Sequence, residues 1–261
     1  MDLEIREKKA LVLGASGGLG SSIAAVLAEE GATVALAGRN RAAIEAEVAR
    51  IKSQGGHAIC ESFDLANLEA LRSAVARVES EIGGIDILVN ISGGPPATTA
   101  AGVSPQQWSE QFQAMVVSLI HATDLVLPGM RARQWGRVIT CASSGVVAPI
   151  PNLGISNTLR PALLGWSKTL AREVAADGIT VNVVIPGRIA TGRVRQLDAG
   201  RAAREGKSIG EIEKSSMDSI PMRRYGEPGE FANAVAFLAS SRASYITGTT
   251  VRIDGGLIPS I

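Results

Sequence analysis

The chain has 261 residues, 46% of them hydrophobic, with 26 basic residues set against 25 acidic ones. That composition suits one large core, and a net charge of +1 excludes a dominant basic face for nucleic acid. Aromatic residues make up only 3%, too few for a base-stacking platform. No apolar run reaches the length of a membrane span, and the opening MDLEIREKKA lacks the apolar centre of a secretory signal. A cytoplasmic protein with no membrane or nucleic-acid partner is expected. Cys60 and Cys141 have no metal-type spacing and sit in apolar segments, so they read as free buried thiols, and no metal site is expected.

Taken in order, short apolar runs alternate with longer amphipathic ones. A first strand, Ala10 to Leu13, runs into a glycine-rich turn and an amphipathic helix over Ser21 to Glu30. A second strand spans Thr33 to Ala37, and Arg41 to Gln54 reads as a helix with Ile44, Val48 and Ile51 on one face. His57 to Phe63 is the third strand, Leu68 to Ile82 a helix, and Ile85 to Asn90 the fourth strand. After a Pro- and Gly-rich loop from Gly93 to Ser104, Pro105 to Met130 reads as one long helix. The fifth strand is Val138 to Cys141; a helix ends near Ala176, and the sixth strand is Thr180 to Ile185. Gly187 to Arg224 is polar and reads as a mobile stretch, Phe231 to Ala239 is a helix, and Thr249 to Ile253 the last strand. Apolar strands alternating with helices predict a single domain over residues 1–261, a doubly wound parallel sheet of about seven strands covered on both faces.

Such a sheet binds its ligand at the carboxyl ends of its strands. The first of those ends carries Gly14-Ala15-Ser16-Gly17-Gly18-Leu19-Gly20, between a buried strand and a helix start. Free backbone N–H groups and the positive end of the helix dipole suit a pyrophosphate there, and glycine lets the anion approach. The second strand ends at Gly38-Arg39-Asn40, with no acid to bind a ribose 2′-hydroxyl. Arg39 instead offers a guanidinium for a 2′-phosphate, so NADP(H) is expected as cofactor and NAD(H) less so.

With these residues in place the chain resembles the short-chain dehydrogenase/reductase family, in particular its 3-oxoacyl-acyl-carrier-protein reductase branch, along nearly its whole length. Gly14-x-x-x-Gly18-x-Gly20 resembles the family's cofactor turn, with Leu13 where threonine is usual. Asp64-Leu65 resembles the Asp-Val that contacts adenine, and Asn90-Ile91-Ser92-Gly93 resembles Asn-Asn-Ala-Gly. Pro186-Gly187-Arg188-Ile189-Ala190-Thr191 resembles the segment that cups the nicotinamide, and Arg252 to Gly256 the C-terminal strand and tail. The resemblance implies a Rossmann-like fold, hydride transfer between a nicotinamide and a carbonyl or alcohol, and a homo-oligomer, tetramer or dimer. It implies cofactor contacts at Gly14, Ser16, Gly17, Gly18, Leu19, Gly20, Arg39, Asn40, Asp64, Leu65, Asn90, Ser92, Gly93, Pro186, Gly187, Ile189 and Thr191.

The family's chemistry uses Asn, Ser and a Tyr-x-x-x-Lys pair. Tyrosine donates the proton, and lysine lowers its pKa from a reference of about 10. In register, Ser143 falls on the serine, Ser156 on the tyrosine, Arg160 on the lysine and Met115 on the asparagine. The segment Leu163 to Leu170 fixes that register, and Trp108 with Leu127-Pro128 fixes it in the long helix. A serine hydroxyl is a far weaker acid than a phenol, and arginine stabilises an anion but relays no proton. Pro161 follows Arg160 directly, so the helix is expected to start or kink there. Tyr225 is a candidate to fold over the site; Tyr245 reads as structural, His57 as an edge residue and His121 as a helix-packing one.

Three functions fit these residues. The first is an NADP(H)-dependent oxidoreductase, acting on a small carbonyl or alcohol such as a 3-oxoacyl group, with Ser143, Ser156 and Arg160 stabilising the developing oxyanion. The second is a non-catalytic NADP(H)-binding sensor or assembly subunit that lacks the acid. The third is non-redox chemistry, because halohydrin dehalogenases resemble the same family with an arginine for the lysine. Residues 187–225, with Arg193, Arg195, Arg201 and Arg204, read as a substrate lid whose basic content permits an acidic or phosphate-bearing substrate.

Overall fold

The computed structural model describes residues 1–261. Seven strands form it: β1 (Lys9–Leu13), β2 (Thr33–Gly38), β3 (His57–Ser62), β4 (Ile87–Asn90), β5 (Gly136–Cys141), β6 (Ile179–Pro186) and β7 (Thr250–Ile253). All are parallel, in the order β3-β2-β1-β4-β5-β6-β7. The chain winds outward from β1 to β3, then crosses to β4 and winds the other way. The switch between β1 and β4 is where this architecture opens a crevice.

Helices cover both faces. They are α1 (Gly18–Glu29), α2 (Arg41–Ser53), α3 (Leu68–Ile82), α4 (Pro105–Phe112), α5 (Ser118–Ala132), α6 (Gly154–Val174), α7 (Gly192–Glu205), α8 (Ile209–Asp218) and α9 (Pro228–Leu238). Side chains alternate across a strand, so β1 sends Ala10 and Val12 to one face and Leu11 and Leu13 to the other. The first face packs Ile23 and Leu27 of α1 with Phe231 and Val235 of α9; the second packs Leu71 of α3, Leu119 of α5 and Leu163 of α6. Asn40 and Asn67 cap α2 and α3, accepting from the amides of Ala43 (3.2 Å) and Ala70 (3.0 Å). At the amino ends of the strands, Trp135 lies between two cations: the Lys8 ammonium at 4.1 Å and the Arg137 guanidinium at 4.3 Å from its ring centre. Burial pushes Arg137 down to about 10.

Four expectations are corrected. The long helix runs past Met130 to Ala132, and a single π turn at Gln113–Val117 interrupts it. This continuous Pro105–Ala132 element is long and apolar enough, by length and composition, to cross a membrane. Its apolar side is instead buried in the core through Met115, Val116, Leu119, Ala122 and Val126. Second, α6 neither starts nor kinks into a new helix at Pro161: it begins at Gly154 and carries the proline inside. Third, residues 192–218 fold into α7 and α8, so most of the supposed mobile stretch is helical. Their starts are capped by Thr191 and by the reciprocal Ser208–Glu211 pair. Fourth, Cys60 is only partly buried, while Cys141 is buried as expected.

Candidate active site

The glycine turn between β1 and α1 is shaped by close approach. Gly14 has φ +67°, and a side chain on it would come within 2.7 Å of the Ile91 carbonyl. The start of α1 has no side-chain cap and no acid in its first turn, so its amides stay open to an anion. The turn fits a dinucleotide pyrophosphate on that ground.

A cavity of about 590 Å³ opens at the carboxyl ends of the strands beside this turn. Of the expected cofactor residues, Gly14, Ser16, Gly17, Gly18, Leu19 and Gly20 line it from the turn, and Ser92 and Gly93 from the loop after β4. Pro186, Gly187, Ile189 and Thr191 line it from the segment after β6. The three expected catalytic residues, Ser143, Ser156 and Arg160, line it too. Five expected residues lie outside this cavity. Arg39 and Asn40 follow β2, and Arg39 is exposed and joins no ion pair. Asn40 spends its side chain on the α2 cap. Asp64, after β3, accepts from the Ala66 amide at 3.0 Å, and Leu65 packs against the core. Asn90 is fully buried and donates to the Thr123 hydroxyl at 3.0 Å.

The reacting end of the cavity is built on β5 and α6. Ser143 ends the β5 loop with its hydroxyl accepting from the Gly145 amide at 3.1 Å, which leaves its O–H free to donate. Ser156 and Arg160 are one helical turn apart on α6, so both face the same way. Ser156 is buried and its hydroxyl has no bonded partner. Arg160 is 7% exposed, yet no carboxylate meets it: it donates to the carbonyls of Cys141 at 3.2 Å and Gly93 at 3.3 Å. Burial pushes its guanidinium below the usual range, and the nearby charge of Arg193 pushes the same way. Burial likewise raises the Cys141 thiol to about 11.

Neither tyrosine takes the missing acid's place. The Tyr225 hydroxyl donates to Asp198 at 2.9 Å, its ring stacks on Arg188 at 5.3 Å, and it does not line the cavity. Tyr245 is 100% exposed. Met115 is buried inside the π turn, away from the cavity lining. Arg193 was legible only as part of a basic lid; the structure puts it in the cavity wall, half-buried and donating to the Pro95 carbonyl at 2.8 Å. Arg188 and the buried Asp198 form a partly buried ion pair that only the fold brings together, since ten positions and a helix start separate them.

Fold and site define a nucleotide-type α/β domain with a polar reaction end. A family model described as enoyl-(acyl carrier protein) reductase matches residues 14–258. The chain belongs to that family, the short-chain dehydrogenases/reductases. It is 35% identical over 252 residues to nodulation protein G of Azospirillum brasilense, covering 96% of this chain and 98% of that one. It is 33% identical over 258 residues to 3-oxoacyl-[acyl-carrier-protein] reductase FabG of Vibrio cholerae, covering 98% and 99%. Among solved structures, L-sorbose reductase from Gluconobacter frateurii, complexed with NADPH and L-sorbose, is similar at TM-score 0.95 and 33% identity over 100% of both chains.

Proposed function

We propose that the protein is an NADP(H)-dependent oxidoreductase acting on a small carbonyl or alcohol substrate through an atypical site of Ser143, Ser156 and Arg160. The observation that carries this is one cavity joining the open start of α1 to those three side chains. The bound nicotinamide supplies or accepts the hydride. Gly14 to Gly20 hold the pyrophosphate, Arg39 pairs the 2′-phosphate, and Pro186 to Thr191 back the nicotinamide end. Asp64 and Leu65 serve the adenine, and Asn40 and Asn90 complete the cofactor set. Ser143 and Ser156 donate hydrogen bonds to the carbonyl oxygen, and the Arg160 charge stabilises the alkoxide that forms. Water or the substrate delivers the proton. The 3-oxoacyl substrate of the Vibrio cholerae relative is one option for the substrate, and the NADPH of the sorbose reductase complex supports the choice of nucleotide. The reading includes a cytoplasmic homo-oligomer, dimer or tetramer; the exposed Phe112 on α4 and Tyr245 before β7 suit a contact surface.

One observation favours a second reading, a nucleotide-binding protein without catalysis. No Asp, Glu, His, Lys or Tyr lines the cavity, so no ordinary proton donor faces a substrate. Titration with NADPH and NADP⁺, wild type against Arg39→Ala, tests the shared pocket. A charge-assisted pair contributes about 1.5–3 kcal/mol, so Arg39→Ala is expected to weaken NADPH binding by about 10- to 100-fold and NADH binding little. NADPH oxidation on a panel of carbonyl compounds then separates the two readings. Failure of well-folded protein to bind either nucleotide overturns both.

A further inference from the structure

The cavity holds positive charge that nothing in the protein neutralises. Its lining holds three arginines and no carboxylate. Arg188 is neutralised by Asp198. Arg160 and Arg193 are not neutralised: each donates only to backbone carbonyls, Arg160 to Cys141 and Gly93, Arg193 to Pro95. The two guanidiniums thus both hold the short segment Gly93 to Pro95. A side chain at Gly94 would come within 2.8 Å of the Arg193 Nε. Two like charges held together in a partly dry site cost free energy unless an anion joins them. The buried Ser92 hydroxyl, in the same wall, has no partner either. The pyrophosphate already has a place on the turn at Gly17 and the start of α1. Arg160 of the pair shares a helix face with Ser156.

We infer that the substrate carries a carboxylate, seated between Arg160 and Arg193, so that the protein acts on a free oxo acid rather than on a neutral ketone. The reducible carbonyl rests on the oxidoreductase reading above; the acid seat rests on the two guanidiniums alone. A planar fork matches a carboxylate in two-pronged fashion, and two forks fix its direction. With the acid anchored there, the neighbouring carbonyl falls beside Ser143 and Ser156. Its carbon receives the hydride from NADPH, its oxygen takes a proton from water, and the products are the hydroxy acid, NADP⁺ and hydroxide, which the solvent buffers.

Calorimetric titration of the intact protein with pyruvate and acetoacetate, against their methyl esters, tests this with and without saturating NADP⁺. Each acid is expected to bind at least about tenfold tighter than its ester, because the ester loses the charge-assisted bonds. Arg193→Gln is expected to erase that preference while leaving NADP⁺ affinity within about twofold. Arg193→Lys, which keeps the charge and loses the fork, should restore part of it, and thermal melting checks that both variants fold. Esters binding as tightly as acids, or no acid binding, overturns the proposal. So does an Arg193→Gln variant that loses NADP⁺ and keeps the acid, because that arginine then serves the nucleotide. Acids that bind through Arg193 to a protein that ignores NADP⁺ uphold the seat and sink the oxidoreductase reading. The reverse result upholds that reading and sinks the seat.

Discussion

At the scale of single residues the site turns on how a buried positive charge is used. Arg160 gives up water for two carbonyl oxygens and gains no counter-ion. Replacing such a charge by an apolar side chain of similar volume is often neutral or stabilising, by roughly 1–4 kcal/mol. Arg160→Met is therefore expected to melt at or above the wild-type temperature while losing activity and acid binding. A melting temperature several degrees lower would count against an uncompensated charge. Ser143 differs, because its hydroxyl keeps a free proton to donate. Ser143→Ala should lower kcat about 10²- to 10³-fold, as loss of one oxyanion donor does, and leave NADPH affinity unchanged. The resemblance to the family, read in register, put Ser143, Ser156 and Arg160 in one set, and a helical turn and a strand end have the fixed geometry to bring them together. It could not place Arg193 against Gly94, since that contact depends on how α7 folds back.

At the scale of elements, three helices contradicted a local reading of the chain for identifiable reasons. Residues 192–218 look like solvated loop because they are rich in charge and poor in apolar residues. They fold because capping residues start each helix and a few buried groups, Asp198, Ala202, Ile212 and Ile220, dock them. Asp198 is 1% exposed, bonded to Arg188 and to the Tyr225 hydroxyl. Asp198→Ala leaves Arg188 without its partner and is expected to cost about 3–5 kcal/mol. Limited proteolysis should then cut within 192–218, at protease levels that spare the wild type. In α6 the helix tolerates Pro161 because the surrounding core fixes it, with Leu159 and Leu163 buried on either side. An interior proline costs about 3 kcal/mol and returns up to about 1 through the unfolded chain. Pro161→Ala is expected to stabilise by about 2 kcal/mol in urea unfolding.

At the scale of the molecule, the sheet was legible because its central strands are short apolar runs bounded by turn residues, as a parallel sheet covered on both faces requires. The π turn was not, since a one-residue excess in a helix leaves no mark in apolar periodicity. The segment after β6 is tied to the body through Arg224, which donates to both oxygens of Glu230 at the start of α9. The two Arg224 hydrogen bonds, with a third from the Glu227 amide, pull the Glu230 carboxyl down to about 2. A carboxyl depressed on folding stabilises above its unfolded pKa, near 4.5, and loses that contribution as pH falls towards 2. Wild-type stability should therefore fall more steeply than that of Glu230→Gln between those limits. The cavity itself has the opposite character. Its lining holds no carboxylate, imidazole, amine or phenol, and its one thiol holds its proton up to about 11. An enzyme whose walls neither gain nor lose a proton across neutrality takes its pH dependence from solvent and substrate alone. Its kcat/KM should run level from about pH 6 to 9, and a solvent deuterium effect should betray water as the acid.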